Sequence, residues 1–288
     1  LYNMLQQERK AYDEVAARNY DAASEIIQRI ADSCPDSSEK GWYLQEKARF
    51  LYRISHSESS KVQVSAFKMN TQLMKPRTGI VYNKLRYPVD NSRNVRIISE
   101  LRSLGNYEEL SVQVEDILSN MSFGVDAEKA ESAFCRIGQL LGYICQRPDK
   151  EIRQGPDVLW CTASKKYILI ECKTEVLLAR KSISKSEAGQ MEEHCAWFEA
   201  TYGEDTLFEP ILVIPTERLA KDAYFSHDTK VLKKEGLVNL KKQIRDFFKE
   251  FKKFDFSGLD ADLINQKLVA HNLHNDQFLQ KFVVSPQK

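Results

Sequence analysis

Gly155-Pro156-Asp157-Val158-Leu159-Trp160, followed after a short polar interval by Lys166-Tyr167-Ile168-Leu169-Ile170-Glu171-Cys172-Lys173, carries the main structural signal of this 288-residue chain. It puts one acid, then a second acid and a lysine, on two adjacent hydrophobic strands. Thirteen residues separate Asp157 from Glu171, and one separates Glu171 from Lys173. The interval Cys161-Thr162-Ala163-Ser164-Lys165 is small and polar, as a hairpin connection should be. Such a hairpin brings Asp157 and Glu171 to neighbouring strand ends. Glu171 and Lys173 are two apart and share one face of their strand. Carboxylates beside Val, Leu and Ile are costly to leave unbalanced. A hard divalent cation would balance them, because Mg²⁺ prefers carboxylate oxygens.

These residues resemble the PD-(D/E)xK nuclease superfamily: Pro156-Asp157 matches the first half of its motif and Glu171-Cys172-Lys173 the second. The likeness covers roughly residues 126 to 215. It implies an α/β class with a restriction-endonuclease-like sandwich core, and hydrolysis of DNA phosphodiester bonds leaving a 5′-phosphate. It further implies Mg²⁺, with Mn²⁺ as an alternative, held by Asp157, Glu171 and the backbone carbonyl of Cys172. Lys173 would position the attacking water and stabilise developing charge. Many relatives add an acid on the helix before the sheet, for which Glu131 and Glu128 are the candidates. Gln190 stands where RecB-type exonucleases begin a Q-x-x-x-Y motif, but His194 replaces its tyrosine. The Cys172 side chain is expected to face away from the site as a packed thiol. The competing readings are a hairpin with a solvated ion pair, and a non-catalytic module that keeps the fold to hold nucleic acid or protein.

Composition sets wider limits. Hydrophobic residues make up 42% and charged residues 29%, a globular rather than disordered balance. No apolar run approaches the ~20 residues of a membrane span, and no secretory signal opens the chain, so no membrane partner and a cytoplasmic location are expected. None of the six cysteines is in CxxC spacing, which suits reduced thiols. The first residue is Leu1 rather than Met, as in a piece of a longer protein. Net charge is only +1, yet His227 to Phe254 holds nine Lys or Arg against four Asp or Glu. Leu237, Leu240, Ile244, Phe247, Phe251 and Phe254 recur there at helical steps. A basic outer face carrying Lys241, Lys242 and Arg245 could follow a phosphate backbone, or be a solvated surface.

Residues 1–122 read as an α-helical domain of helical hairpins, and residues 123–288 as the nuclease domain with C-terminal helices. The expected helices are Ala22 to Ile30, one capped by Ser37 or Ser38 and reaching Ile54, Ser57 to Met74, Arg93 to Leu104 and Tyr107 to Met121. Asn19 and Asn106 look like matching N-caps, and Ile80-Val81-Tyr82 has some strand character. The boundary is expected near Ser122 to Asp126, with a fragment from Phe123 onward folding alone. Beyond it come a helix over Asp126 to Tyr143, three strands, a helix over Ser186 to Tyr202 and a strand at Ile211 to Ile214. The basic helix follows, then a last helix from about Leu259 to Phe282. Gly41-Trp42-Tyr43-Leu44 through Ala48-Arg49-Phe50, then Ser65-Ala66-Phe67-Lys68, is similar to regions downstream of the motor in bacterial helicase-nuclease proteins linked to phage defence. That similarity implies a helicase partner, and the chain has no GxxxxGK[ST] loop of its own. His271 and His274 lack carboxylates that would complete a zinc site.

Overall fold

Short helices with apolar stripes build the first part of the chain: α1 (Tyr2–Ala16), α2 (Tyr20–Ser33), α3 (Ser37–Leu51) and α4 (His56–Met69). The computed structural model describes residues 2–76, 82–89, 92–152, 154–176, 178–274 and 281–288. Asp36, rather than Ser37 or Ser38, caps α3 by accepting the Glu39 N–H, and Ser55 caps α4 through the Glu58 N–H. Asn19 makes no capping bond, whereas Asn106 accepts from the Glu109 N–H. Consecutive helices pack side by side around Ile26, Ile27, Ile30, Tyr43, Leu44, Phe50 and Ala66. A Cβ on Gly41 would lie 2.9 Å from the Asn70 side chain, so α3 and α4 approach closely only because that residue is glycine. The possible strand at Ile80-Val81-Tyr82 lies mostly outside the described residues.

The chain divides into two units: Leu1–Asn83 with Lys150–Arg153, and Lys84–Asp149 with Gln154–Lys288. The second contains α5 (Arg93–Leu104), α6 (Tyr107–Asn120), α7 (Ala127–Leu140) and strand β1 (Ile144–Gln146). After the short helix α8 (Pro148–Ile152) come β2 (Val158–Ala163), β3 (Lys166–Cys172), α9 (Lys185–Tyr202), β4 (Leu207–Val213) and β5 (Lys230–Leu232). Helices α10 (Lys234–Lys249) and α11 (Ala261–Ala270) follow, with two 3₁₀ turns between them. The five strands form one mixed sheet in sequence order. β1–β2 and β2–β3 are antiparallel, β3–β4 and β4–β5 parallel, and α9 makes the β3-to-β4 crossover. The protein is therefore of the α/β class, with the expected order of helix, three strands, helix and strand.

Period-two alternation sorts each strand between two layers. Val158, Trp160, Ile168, Ile170 and Cys172 join one core with residues of α5, α6, α7, α10 and α11. Leu159, Cys161, Tyr167, Leu169 and Leu212 join the other with Met191, Cys195 and Phe198 of α9. Where α7 crosses β2, a Cβ on Gly138 would lie 2.5 Å from the Trp160 indole nitrogen. The hairpin connection is shorter than expected: β2 runs on through Ala163, and Lys165 takes the left-handed conformation at φ 57°.

The boundary expected near Ser122 to Asp126 is corrected. It falls inside the second unit, because Ile97, Leu101, Leu110, Val114 and Leu118 of α5 and α6 share a core with Phe134 and Trp160. A helical hairpin that covers a sheet looks, in sequence, like one that stacks on another hairpin. The basic stretch also differs: its first residues form β5, and the helix proper begins at Lys234. Helix α11 ends at Ala270, short of the expected Phe282; residues 275–280 lie outside the described residues, and Lys281 and Phe282 are again helical.

This arrangement predicts that residues 84–288 fold as a cooperative unit and residues 123–288 do not. Each fully buried Ile, Leu or Val stabilises by roughly 1.5–3 kcal/mol. Losing the five named from α5 and α6 is comparable to a domain's whole margin of about 5–15 kcal/mol. Thermal melts of the two fragments, followed by circular dichroism, check this: a sharp transition for 123–288 would refute it.

Candidate active site

The β2–β3 register pairs Val158 with Ile170, and one more step sets Asp157 against Glu171. Asp157 lies in the turn just before β2, where its Oδ2 accepts the Cys172 backbone N–H at 2.8 Å. That turn is held by Gly155, at φ +82°, where a Cβ would lie 2.5 Å from the Trp197 ring. Only glycine meets both demands, so its place in Gly155-Pro156-Asp157 has a mechanical reason. Lys173 continues the pairing beyond β3, its N–H donating to the Val213 carbonyl at 2.8 Å. Being odd-numbered, Asp157, Glu171 and Lys173 fall in step with Leu159 and Leu169, on the face that α9 covers. Cys172 is buried in the opposite core, as expected of a packed thiol, and burial pushes its pKa well up.

Helix α9 brings two more groups to this face. Ser184 and Glu187 form a capping box at its start, and Arg180 donates to Glu187 at 2.6 Å. Gln190 and His194, four residues apart, lie on one side of the helix. The Lys173 ammonium donates to Glu171 Oε1 at 2.8 Å and to Gln190 Oε1 at 2.7 Å. His194 Nε2 is 2.9 Å from Glu171 Oε2. Neither of those two atoms makes an aligned hydrogen bond, so the contact is one of proximity. The structure thus gathers Asp157, Glu171, Lys173 and Gln190 and adds His194. In the sequence that histidine stands in place of the motif's tyrosine, and its i+4 spacing from Gln190 is the usable signal.

Glu131 and Glu128 of α7 are differently engaged. Arg147, one residue after β1, binds Glu128 with two hydrogen bonds of 2.9 and 3.0 Å and also contacts Glu131. Glu131 is near enough to disfavour ionisation of Asp157, but it is tied to Arg147. Arg147 had no sequence signal, because its acidic partners lie on another element.

Charge in the site is unevenly shared. Burial, then the charges of Glu171 and Glu131, raise the Asp157 carboxyl to about 9, against the help it receives from the Cys172 N–H. Burial opposes ionisation of Glu171 too, but His194 and Lys173 outweigh it and hold that carboxyl below the ordinary range. Burial likewise works against the Lys173 ammonium, and Glu171 more than restores it. Near neutral pH the acid pair therefore carries one negative charge and one proton. Among the described residues no group of three or more His, Cys, Asp or Glu side chains gathers to hold a metal. The hard donors at this end of the hairpin are the two carboxylates of Asp157 and Glu171, and Mg²⁺ characteristically uses one or two carboxylates and keeps several waters. A buried acid pair with one carboxylate oxygen lacking an aligned hydrogen bond suits such an ion.

The basic helix is less available than its composition suggests. Lys241 donates to Ser122 at 2.6 Å, and Arg245 forms a two-pronged pair with Glu115 of α6. Only Lys242 of the three named cations is exposed. His271 pairs with Glu250 at 3.2 Å and lies past the end of α11, so the two histidines do not share a helix face. The chain matches no family model, no curated protein and no solved structure.

The raised Asp157 carboxyl makes a pH prediction. In the unfolded chain it loses its proton near 3.8, while the folded protein keeps it to about 9. The folded state then binds more protons between those limits, so this group's contribution to stability falls as pH rises through them. Asp157→Asn keeps an acceptor for the Cys172 N–H and abolishes that fall. In EDTA at pH 8 the variant should be more stable than the parent by roughly 1–3 kcal/mol, and the two should converge below pH 4. Parallel melting curves across pH 4 to 9 would refute the assignment.

Proposed function

We propose that the second unit is a metal-dependent nuclease that hydrolyses DNA phosphodiester bonds, with a restriction-endonuclease-like core. The observation that supports it most is the meeting of Asp157, Glu171, Lys173 and Gln190 on one face at one end of a buried hairpin. Asp157, Glu171 and the Cys172 carbonyl would hold Mg²⁺ or Mn²⁺. Bound there, the ion would neutralise phosphate charge and acidify a water. To hold a cation there the raised Asp157 carboxyl would have to give up its proton, since only the ionised form acts as a ligand. Cation binding would also compete with the contacts that Lys173 and His194 make to Glu171. Lys173, held between Glu171 and Gln190, supplies a fixed positive charge that orients the attacking water and stabilises the oxygens on which charge develops. Gln190 acts as a positioning residue through its 2.7 Å bond to the ammonium. Hydrolysis would leave a 5′-phosphate. We place this activity in a bacterial anti-phage or DNA-processing system, with a helicase as the partner.

One observation favours a second reading, a non-catalytic module that binds nucleic acid or protein: both carboxylate oxygens of Glu171 already face a cationic or potentially cationic group. Incubation with supercoiled, linear and single-stranded circular DNA separates the two. Under the nuclease reading, cleavage appears with Mg²⁺ or Mn²⁺ and disappears in EDTA. Asp157→Ala, Glu171→Ala and Lys173→Ala each lower the rate by about 100-fold or more while the protein stays folded. Binding without metal-dependent cleavage would favour the module, and full activity in the Asp157 and Glu171 variants would remove the site assignment.

A further inference from the structure

A cavity of about 520 Å³ lies in the first unit, lined only by residues between Gln45 and Pro76. It is within the size range of small-molecule sites, about 300–1,000 Å³. Its charge is one-sided. Arg49, on the last turn of α3, Arg53, just beyond that helix, and Lys75 all line it, and among the described residues no Asp or Glu does. Arg49 is balanced by Glu46 at 2.8 Å. Arg53 and Lys75 have no acidic partner among the described residues. Two uncompensated cations at the wall of one cavity call for a ligand of at least two negative charges, and a guanidinium with an ammonium suits phosphate oxygens.

The remaining lining speaks to the rest of the ligand. Tyr52 is 48% exposed and stacks on His56, with ring centroids 4.2 Å apart and planes 13° apart. Such a pair is a rigid aromatic platform of the kind on which bases stack. Gln45 Nε2, Gln63 Oε1 and the Ser60 hydroxyl are groups that can bond the edges of a base or a sugar. The wall is preformed. Gln45 accepts the Met74 N–H at 2.8 Å, Gln63 donates to the Met74 carbonyl at 2.7 Å, and the two amides meet at 3.2 Å. Little ordering is left for a ligand to impose.

We propose that this cavity binds a nucleoside phosphate, with the phosphate held by Arg53 and Lys75 and the base beside Tyr52. The site is separate from Asp157 and Glu171 and does not depend on what they do. Isothermal titration of the full chain, in EDTA, with ADP, GDP, CDP and UDP tests it. At least one should bind with a dissociation constant on the order of 10 μM. Arg53→Glu and Lys75→Glu should each weaken that binding at least tenfold with melting temperature unchanged. Tyr52→Ala should weaken the nucleotide and leave inorganic phosphate unaffected, and Asp157→Ala should change nothing. A 5′-phosphorylated oligonucleotide that competes with the nucleotide would identify a nucleic-acid end as the source of the ligand; a failure to compete would identify the free nucleotide. The proposal is overturned if none of the four binds, or if inorganic phosphate or a phosphorylated peptide binds as tightly as the best of them. Retention of affinity in the Arg53→Glu, Lys75→Glu double variant would overturn it as well.

Discussion

The register of one hairpin, with Val158 against Ile170 and hence Asp157 against Glu171, is what the second unit is built on, and the Cys172 N–H to Asp157 bond closes its end. The side-chain period of a strand is two, so a slip of one residue would exchange its faces. Trp160 and Ile170 would leave the core of α5, α6 and α7, and Leu159 and Leu169 would leave that of α9. The acids would change sides with them. Register, core packing and the gathering of Asp157, Glu171 and Lys173 are therefore one constraint, and Gly155 against Trp197 fixes the turn where it begins.

That constraint works against the stability of the apo protein. Two carboxyls meet inside an apolar sheet, where desolvation disfavours charge on both. The protein distributes the burden unequally: Lys173 and His194 keep Glu171 ionised, and Asp157 is left to retain its proton. Desolvated acids gathered from three elements at a cost to apo stability are the kind of arrangement that marks a candidate functional site. The Arg147 pairing with Glu128 and Glu131 is the opposite case, in which acids have found a permanent counter-charge.

Local signals carried much of this. Two continuous apolar runs marked β2 and β3, the helix expected from Asp126 is α7 with Asp126 as its cap, and the acids were visible as the wrong residues in apolar strands. What stayed hidden depended on distant partners. The stripes of α5 and α6 show that a face is buried, but the sheet that buries it lies tens of residues away. Arg245 looked like a free cation because Glu115 is 130 residues distant. His194 was legible as a position on α9, while its relation to Glu171 depends on how that helix lies over the sheet. Asp36 displaced the serines as the α3 cap, a local competition that propensity alone ranks too closely to decide.

The crossover from β3 through α9 to β4 has a consequence for how the chain reaches its native state. Parallel strands cannot pair until the segment between them has been closed, so β3–β4 pairing carries a large entropic cost before any contact rewards it. The β2–β3 hairpin needs only a two-residue turn and can form early, bringing Asp157 to Glu171 while the site is still open to water. Gln190 and His194 arrive only when α9 docks. In that order of assembly the acids meet in solvent, where charge is cheap, and are enclosed afterwards. The protonation state of Asp157 is consequently settled late, and the final burial of the site is coupled to the uptake of a proton.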